Sequence, residues 1–286
     1  ITVHYRNSIR HPEQWEVLEQ DPPLYRKLLT EIPDMDHVMN IFRKLDGHKI
    51  RVEHIYAVYN PSLVHAMALT REKFENRVLN DAALFYSEKW KDINCTRAEM
   101  KRRQWVKDIF IKRVAEFEWN HDLAVPIIPT IHGTSASVAW KICHGGFATL
   151  SSLDVGYFGA GIYFTTSAKY AIPYFATKAQ PAIIISYLVP GNPYPVIEDP
   201  NGPNKLAGEV IKAGYQSHYV LTTNRGMPFE RIEVKNIFDE IVVDQESQVA
   251  PAYVLLLDNK GFPALIRDFE RRTSEDDPAN EEFERL

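Results

Sequence analysis

The sequence predicts an α+β fold that is rich in short strands, and two patterns carry this prediction. Residues 1–124 hold amphipathic stretches with helix-capping signals. Residues 125–260 hold short apolar runs separated by Pro-Gly, Asn-Pro and Gly-Pro breaks. The 286 residues suit one large domain, or one domain with a helical extension. We expect a helical region over 1–124, which includes an opening core strand near 48–60. The catalytic core is expected over 125–260, and a charged tail over 261–286.

The first range begins with two predicted helices. Asp21-Pro22-Pro23 combines a capping residue with prolines in a first turn, which predicts a helix start. A second helix is predicted to begin at Asp34 and to end at Gly47. Its apolar face repeats every three or four residues, at Val38, Ile41, Phe42 and Leu45.

Residues 48–59 alternate apolar and polar side chains, which predicts a strand that Asn60-Pro61 ends. A helix follows from Ser62. Farther on, Thr96 and Glu99 form a capping-box pattern before another helix. The basic face of that helix carries Lys101, Arg102, Arg103, Lys107, Lys112 and Arg113. Two interpretations of this face stay open: a solvent-exposed surface, or a surface that binds an anionic partner or steers dinucleotide phosphates.

Five apolar runs in the second range predict strands, at residues 127–131, 161–164, 182–189, 240–243 and 252–257. A helix is predicted from Ser135 to His144, because Gly145-Gly146 is typical of a helix C-terminus. Residues 167–176 are helix-like. The acidic tail after residue 264 predicts an exposed helix end that frays into disorder.

Composition limits the class of protein. A net charge of -5 gives no overall field that favours nucleic acid. No apolar run approaches the length of a membrane span, and the N-terminus has no signal-peptide pattern. Cys95 and Cys143 lack metal-ligand spacing and are predicted to be free thiols. We therefore expect an intracellular protein, cytoplasmic or nuclear, with no metal and no membrane partner; the oligomeric state stays open.

Three separated motifs carry candidate catalytic residues. His132 follows an apolar run and precedes Gly133 and Thr134. The stretch 156–164, GYFGAGIYF, is a glycine turn that lets backbone approach a ligand before a strand with aromatic rings. A lone carboxylate, Glu240, heads a further strand. The glycines do not form a dinucleotide-binding fingerprint, because neither the expected helix nor the expected acidic residue follows them.

Two tyrosines indicate a slot for a flat ring. Tyr163 lies in the strand after the glycine turn, and Tyr174 lies in the helix-like segment that follows. A heteroaromatic ring between them would gain roughly 0.5–1.5 kcal/mol per stacked pair.

The motifs resemble the catalytic domain of poly(ADP-ribose) polymerase-type ADP-ribosyltransferases, the diphtheria-toxin-like branch with a His-Tyr-Glu triad. The resemblance rests on residues 132–134, 156–164 and 239–243, which follow one another in the family's order. Residues 214–217 and 55–63 are similar to two further family elements, and Gln248, Pro251 and Tyr253 keep the spacing of its last strands. The resemblance covers about residues 125–258. It implies two packed, mainly antiparallel sheets with a helical N-terminal region or insertion.

The resemblance also implies roles for individual residues. His132 would bind the adenine-side ribose of NAD+, and the Gly133 backbone would hold the nicotinamide carboxamide. Tyr163 and Tyr174 would stack on the nicotinamide, and Glu240 would bind the ribose 2′-hydroxyl. A fixed carboxylate near that sugar stabilises the positive charge that builds as the C1–N bond breaks. The remaining candidate NAD-binding residues are Thr134, Phe164, Ser167 and Tyr157.

Two segments depart from the family pattern. Ala171 stands where the family often has a serine that holds the carboxamide, and Ser167 is the candidate substitute. The loop over 147–156, which should cover the donor, is short and resembles the mono-transferring members. Tyr215 and Ser217 are candidates for the acceptor side.

The expected activity is transfer of ADP-ribose from NAD+ to a macromolecule with release of nicotinamide. Mono-transfer is favoured over polymer formation, and a protein acceptor over a nucleic acid. Two alternatives stay open: an NAD glycohydrolase, for which water is the acceptor, and a catalytically inactive binding module. NAD+ is expected as a substrate, without a metal.

Overall fold

The computed structural model describes residues 15–147, 156–232 and 237–275. Within these ranges the chain forms an α+β fold with ten strands in two sheets and seven α-helices. No helix in the described ranges combines the length and the apolar character needed to cross a membrane.

The larger sheet has six strands, and every pair of neighbours is antiparallel. In spatial order they are β1 (Glu16–Gln20), β2 (Pro23–Leu28), β3 (Val52–Tyr59), β10 (Val249–Leu257), β6 (Pro181–Leu188) and β4 (Ile128–Ser135). Strands from the first and second predicted ranges therefore share one sheet, and β4 forms its edge.

The smaller sheet has four strands and begins with a short edge strand, β5. Its spatial order is β5 (Ile162–Phe164), β9 (Phe238–Val243), β8 (Ser217–Thr222) and β7 (Pro193–Val196). β7 and β8 are parallel, and the other pairs are antiparallel. The expectation of two mainly antiparallel sheets is confirmed.

Helices cover both sheets. They are α1 (Ile32–Lys44), α2 (Pro61–Asn80), α3 (Ala82–Phe85), α4 (Arg97–Ala115), α5 (Ala136–Gly145), α6 (Ile172–Phe175) and α7 (Phe262–Glu275). The main core lies between the sheets, where Ile184 and Val254 of the larger sheet pack with Ile241 of the smaller one. A second core on the opposite face of the larger sheet includes residues of α1, α6 and α7.

The two sheets meet at their edge strands. The amide of Ile131 in β4 donates to the carbonyl of Thr165, which directly follows β5, over 2.8 Å. The amide of Thr165 donates back to Ile131 over 3.4 Å. We call this bridge, with the adjoining residues of β4, β5 and β9, the edge junction.

Several local predictions are confirmed. Helix α1 buries Val38, Ile41 and Phe42, as its spacing predicts. Asn60 caps α2 by accepting from the amides of the two residues after Pro61. The capping box of Thr96 and Glu99 is present at the start of α4. The five predicted strands all form, with ends shifted by a few residues.

The helix predicted at Asp21-Pro22-Pro23 is wrong, because Asp21 and Pro22 form the turn between β1 and β2, and Pro23 is the first residue of β2. A capping residue followed by prolines fits a tight turn as well as a helix start. Pairing decides between them: Arg26 on β2 forms an ion pair with Glu16 on β1, and β2 also pairs with β3. The helix-like segment over 167–176 contains only the four residues of α6.

The basic face of α4 is partly buried, and neither interpretation of it is correct for Arg103. This side chain forms an ion pair with Glu198 at 2.8 Å and also donates to the carbonyl of Pro195. Lys107 donates to the side chain of Asn192. The face therefore packs α4 against the region of β7.

Candidate active site

His132 lies on edge strand β4, opposite Ile184 of β6. Its ring packs edge-on against Phe147 and Phe164, at centroid distances of 5.3 and 6.4 Å. Burial lowers the pKa of His132, and a hydrogen bond to the Tyr163 backbone partly opposes this shift. The ring is therefore held neutral beside β5 at physiological pH.

The backbone of Gly133 is open at the sheet edge. In an antiparallel strand the N–H and C=O of one residue point to the same side, and the side alternates along the strand. Those of Ile131 point away from β6 to Thr165, so those of Gly133 point the same way. In the described part of the chain no backbone group pairs with them. Gly133 thus presents a donor and an acceptor next to the edge junction.

Tyr163 lies on β5, opposite Val242 of β9. Its hydroxyl accepts from the Phe158 amide at 2.9 Å and donates to the Gly159 carbonyl at 2.7 Å. Gly156, with φ +59°, lies so close that a Cβ would be 2.5 Å from this hydroxyl. The 156–161 turn therefore closes on the tyrosine of the strand that it precedes.

His218 supports the same turn from β8. Its Nδ1–H donates to the Phe158 carbonyl at 2.6 Å, and its Nε2 accepts from the Lys212 amide at 2.9 Å. These two bonds fix a neutral tautomer, and burial lowers the pKa of His218. A Cβ at Gly159 would be 2.9 Å from Nδ1. In the sequence, the only signal for this residue is a histidine inside an apolar strand run.

Glu240 lies on β9, two residues before the partner of Tyr163, and on the same face of the sheet. Such diagonal neighbours are about 7–8 Å apart. The hydroxyl of Tyr170 donates to Oε1 of Glu240. Burial is the main effect that raises the pKa of Glu240 to about 7. The hydrogen bond from Tyr170 lowers this pKa, and the charge of nearby Asp239 raises it further.

Asp239 anchors the segment that leads from β5 to Tyr170. Its carboxylate accepts from the Thr166 amide at 2.7 Å and from the hydroxyl of the same residue. It also accepts from the hydroxyls of Thr165 and Tyr219, at 3.1 and 2.9 Å. Asp239 and Glu240 thus act on opposite faces of β9, and both fix groups at the edge junction.

Helix α6 brings Tyr174 to the same region. A Cβ at Gly133 would be 3.0 Å from the Ala171 carbonyl and 3.0 Å from the Phe175 ring, so α6 packs directly against β4. Tyr174 is 58% exposed on this helix. Thr134, at the end of β4, is buried.

Other predicted site residues are used structurally. Ser167 is fully buried, and its hydroxyl donates to Asp46 at 3.2 Å, which leaves no surface for a carboxamide. Phe164 is buried in the core between the sheets, whereas Tyr157 is 63% exposed. Of the loop over 147–156, residues 148–155 lie outside the described ranges.

The two candidates for the acceptor side have structural partners. The hydroxyl of Tyr215 accepts from the Trp90 amide at 2.9 Å. Ser217 is fully buried, and its hydroxyl donates to the Pro190 carbonyl at 2.8 Å. Both side chains fix loops around the smaller sheet.

No protein-family model matches the chain, and no curated protein is significantly similar to it. Among the described residues, no group of three or more His, Cys, Asp or Glu side chains could hold a metal ion.

Proposed function

We propose that the protein is an NAD-dependent ADP-ribosyltransferase. The observation that carries the proposal is the edge junction, where Gly133 presents an amide and a carbonyl that no described backbone group pairs with, near Tyr163 and the partly buried carboxylate of Glu240. The His132 side chain is hydrogen-bonded to the backbone of Tyr163. Three sequence motifs up to 108 positions apart in the chain thus converge on one site.

The residues present fit NAD+. An N–H and a C=O on one residue are complementary to the carbonyl and the amino group of a carboxamide, and Gly133 offers this pair. Tyr163 and the exposed Tyr174 would supply the rings for the nicotinamide. Ser167 is removed from the set by its burial, so the Gly133 backbone would hold the carboxamide without a serine hydroxyl.

Bound NAD+ supplies a ribose C1–N bond whose leaving group is neutral nicotinamide. In the transfer this bond breaks, nicotinamide leaves with the bonding electrons, an acceptor atom bonds to C1, and the acceptor proton passes to solvent. Glu240 would bind the 2′-hydroxyl and stabilise the positive charge that develops on the ribose. It can do so only when ionised, and its pKa of about 7 leaves it half ionised at neutral pH.

The acceptor is proposed to be a protein, and the product a single ADP-ribose unit. Tyr170 already occupies Oε1 of Glu240, so the carboxylate has less free capacity for the hydroxyl of a growing polymer in addition to the donor ribose. A nucleic-acid acceptor receives no support from the net charge of -5.

The proposal is tested by incubating the protein with NAD+ and a cell lysate, quenching the reaction with acid, and analysing the products by mass spectrometry. We expect released nicotinamide and mapped ADP-ribosylated residues, with Glu240→Gln lowering both by orders of magnitude while NAD+ still binds. Free ADP-ribose without any modified protein would replace the proposal with a glycohydrolase. If NAD+ neither raises the melting temperature nor yields nicotinamide, the protein is a binding module.

A further inference from the structure

Tyr170 and Glu240 form a partly buried pair that joins two elements of the site. The Tyr170 hydroxyl donates to Oε1 of Glu240, although 70 positions separate the two residues. The ring of Tyr170 stacks on Phe238 at 5.5 Å with an interplanar angle of 25°. A Cβ at Gly226 would be 3.1 Å from the hydroxyl. The phenol is therefore enclosed on several sides and held in one position.

The segment that carries Tyr170 is itself anchored to β9. Thr166 is bound to Asp239 through both its amide and its hydroxyl, and the Tyr170 amide donates to the hydroxyl of Ser167. Asp239 thus fixes the start of the segment, and Glu240 receives the hydroxyl at its end. Two neighbouring residues of β9 therefore hold both ends of this segment and fix the position of the Tyr170 hydroxyl.

We propose that Tyr170 is the positioning residue for Glu240, holding one carboxylate oxygen so that the other faces the donor ribose and favouring the ionised form on which transfer depends. This inference rests on the proposed function for its catalytic meaning. The hydrogen bond itself exists independently of the activity, and it can be tested without a substrate.

The electrostatics agree with this role. Burial and the neighbouring carboxylate raise the pKa of Tyr170 far above its ordinary value, so the phenol stays a donor at any pH used for assay. The described ionisable groups that act on Glu240 are Tyr170, which lowers its pKa, and Asp239, which raises it. Tyr174 acts on Tyr170, and Arg113 lies 4.0 Å from Asp239.

The test is a carboxyl titration of the protein without substrate. Protein with ¹³C at the glutamate carboxyls is titrated by NMR, and the Glu240 signal is assigned as the one absent in Glu240→Gln. Tyr170→Phe removes the bond and keeps the ring on Phe238. Losing a hydrogen bond to an ionised group shifts the pKa of that group by about one to two units, so the pKa of Glu240 should rise by about that amount.

Transfer kinetics give the second reading. In Tyr170→Phe, the pH of half-maximal kcat should rise by the same amount as the pKa of Glu240. At pH 7 the transfer rate should fall by roughly 5- to 50-fold, and about half or more of it should return by pH 9, where at least half of Glu240 is ionised. KM for NAD+ should change far less than kcat at pH 7.

Tyr219→Phe is the matched control. It removes a buried phenol–carboxylate bond of the same kind, to Asp239, on the opposite face of β9. It should lower the melting temperature while leaving the pKa of Glu240 and the pH profile in place. An unmoved pKa of Glu240 in Tyr170→Phe overturns the inference, and so does an equal shift in Tyr219→Phe. A moved pKa in a protein that never consumes NAD+ supports the Tyr170 bond and rejects the transferase.

Discussion

At the scale of the residue, Glu240 lies in surroundings that oppose its charge. Burial raises its pKa to about 7, and one hydrogen bond from Tyr170 only partly offsets that effect. A carboxylate in this state weakens the fold at neutral pH and is retained where its charge has a use. The raised pKa distinguishes Glu240 from a solvated carboxylate at the end of a strand.

Glu240→Gln should make the protein more stable at neutral and alkaline pH. Because the folded pKa is raised from 4.5 to about 7, the native state holds a proton that the unfolded state loses. Wild-type stability is therefore lost as the pH rises from about 4.5 through about 7, by about 3 kcal/mol for this group. Urea unfolding across this range should show the variants equal near pH 4.5 and Glu240→Gln more stable at pH 8. A constant difference at every pH would contradict the raised pKa.

Two substitutions separate the ring of Tyr163 from its hydroxyl. Tyr163→Phe removes the bonds to the Phe158 amide and the Gly159 carbonyl and should cost about 1–3 kcal/mol of stability, with the ring still present for NAD+. Tyr163→Ala also removes the stacking surface and should weaken NAD+ binding by a further 2- to 10-fold. Urea unfolding measures the loss of stability, and calorimetric titration with NAD+ measures the binding of both variants. Equal dissociation constants for the two variants would show that the Tyr163 ring does not stack on NAD+.

Sequence identifies the residues of this site better than it identifies their supports. His132, Tyr163 and Glu240 stand in recognisable local contexts, a glycine pair or an apolar run. Tyr170 and His218 act through partners 70 and 60 positions away, so no local pattern reveals them. Ser167 shows the converse: it has a suitable position in sequence, but Asp46 takes its hydroxyl.

At the scale of the element, the 156–161 turn is a connection that depends on glycine and is held from two sides. Gly156 and Gly159 both have positive φ, at +59° and +119°, and both lie where a Cβ would collide with a neighbour. Tyr163 closes the turn from its own strand and His218 from β8. The position of β5 at the edge junction therefore depends on a neutral, buried imidazole.

His218→Ala should loosen this turn. It leaves the Phe158 carbonyl and the Lys212 amide without their partner and should cost about 2–4 kcal/mol, with weaker NAD+ binding. Burial holds the pKa of His218 below 6.5, so wild-type stability falls as the pH drops below about 6.5, and the variant should lose that component. Urea unfolding at pH 5 and pH 8 measures both effects.

His144→Ala is the control for this prediction. His144 is a partly exposed histidine whose ring hydrogen-bonds to the Pro22 carbonyl at 3.2 Å. Its loss should change stability little. If it costs as much as His218→Ala, the effect does not come from the turn.

Elements whose signals are local are predicted well, and elements that depend on pairing are not. Helices α1, α2 and α4 carry their caps and apolar faces within their own sequence. Strand β1 is largely exposed and polar, so its alternation is weak, and the hairpin that it forms with β2 is held by the pairing of β2 with β3. Strand β7 contains two prolines, which ordinarily argue against a strand.

At the scale of the whole molecule, α4 packs against the smaller sheet through a buried ion pair. Arg103 binds Glu198 and lies over the ring of Tyr194 at 5.1 Å. Glu198 also accepts from the Tyr194 hydroxyl and the Ile197 amide, so each of its oxygens is satisfied. A helix from the first predicted range is thereby tied to the sheet that carries Tyr163 and Glu240.

Breaking this pair on one side should destabilise the whole fold. Arg103→Ala leaves the Glu198 carboxylate buried without its cation, which should cost about 3–5 kcal/mol. Arg103→Met with Glu198→Gln removes both charges and keeps an acceptor for Tyr194, so it should recover most of that loss. Urea unfolding of the wild type and the two variants measures this. A double variant as unstable as Arg103→Ala would show that packing of the arginine stem, rather than the unpaired charge, fixes α4 to the sheet.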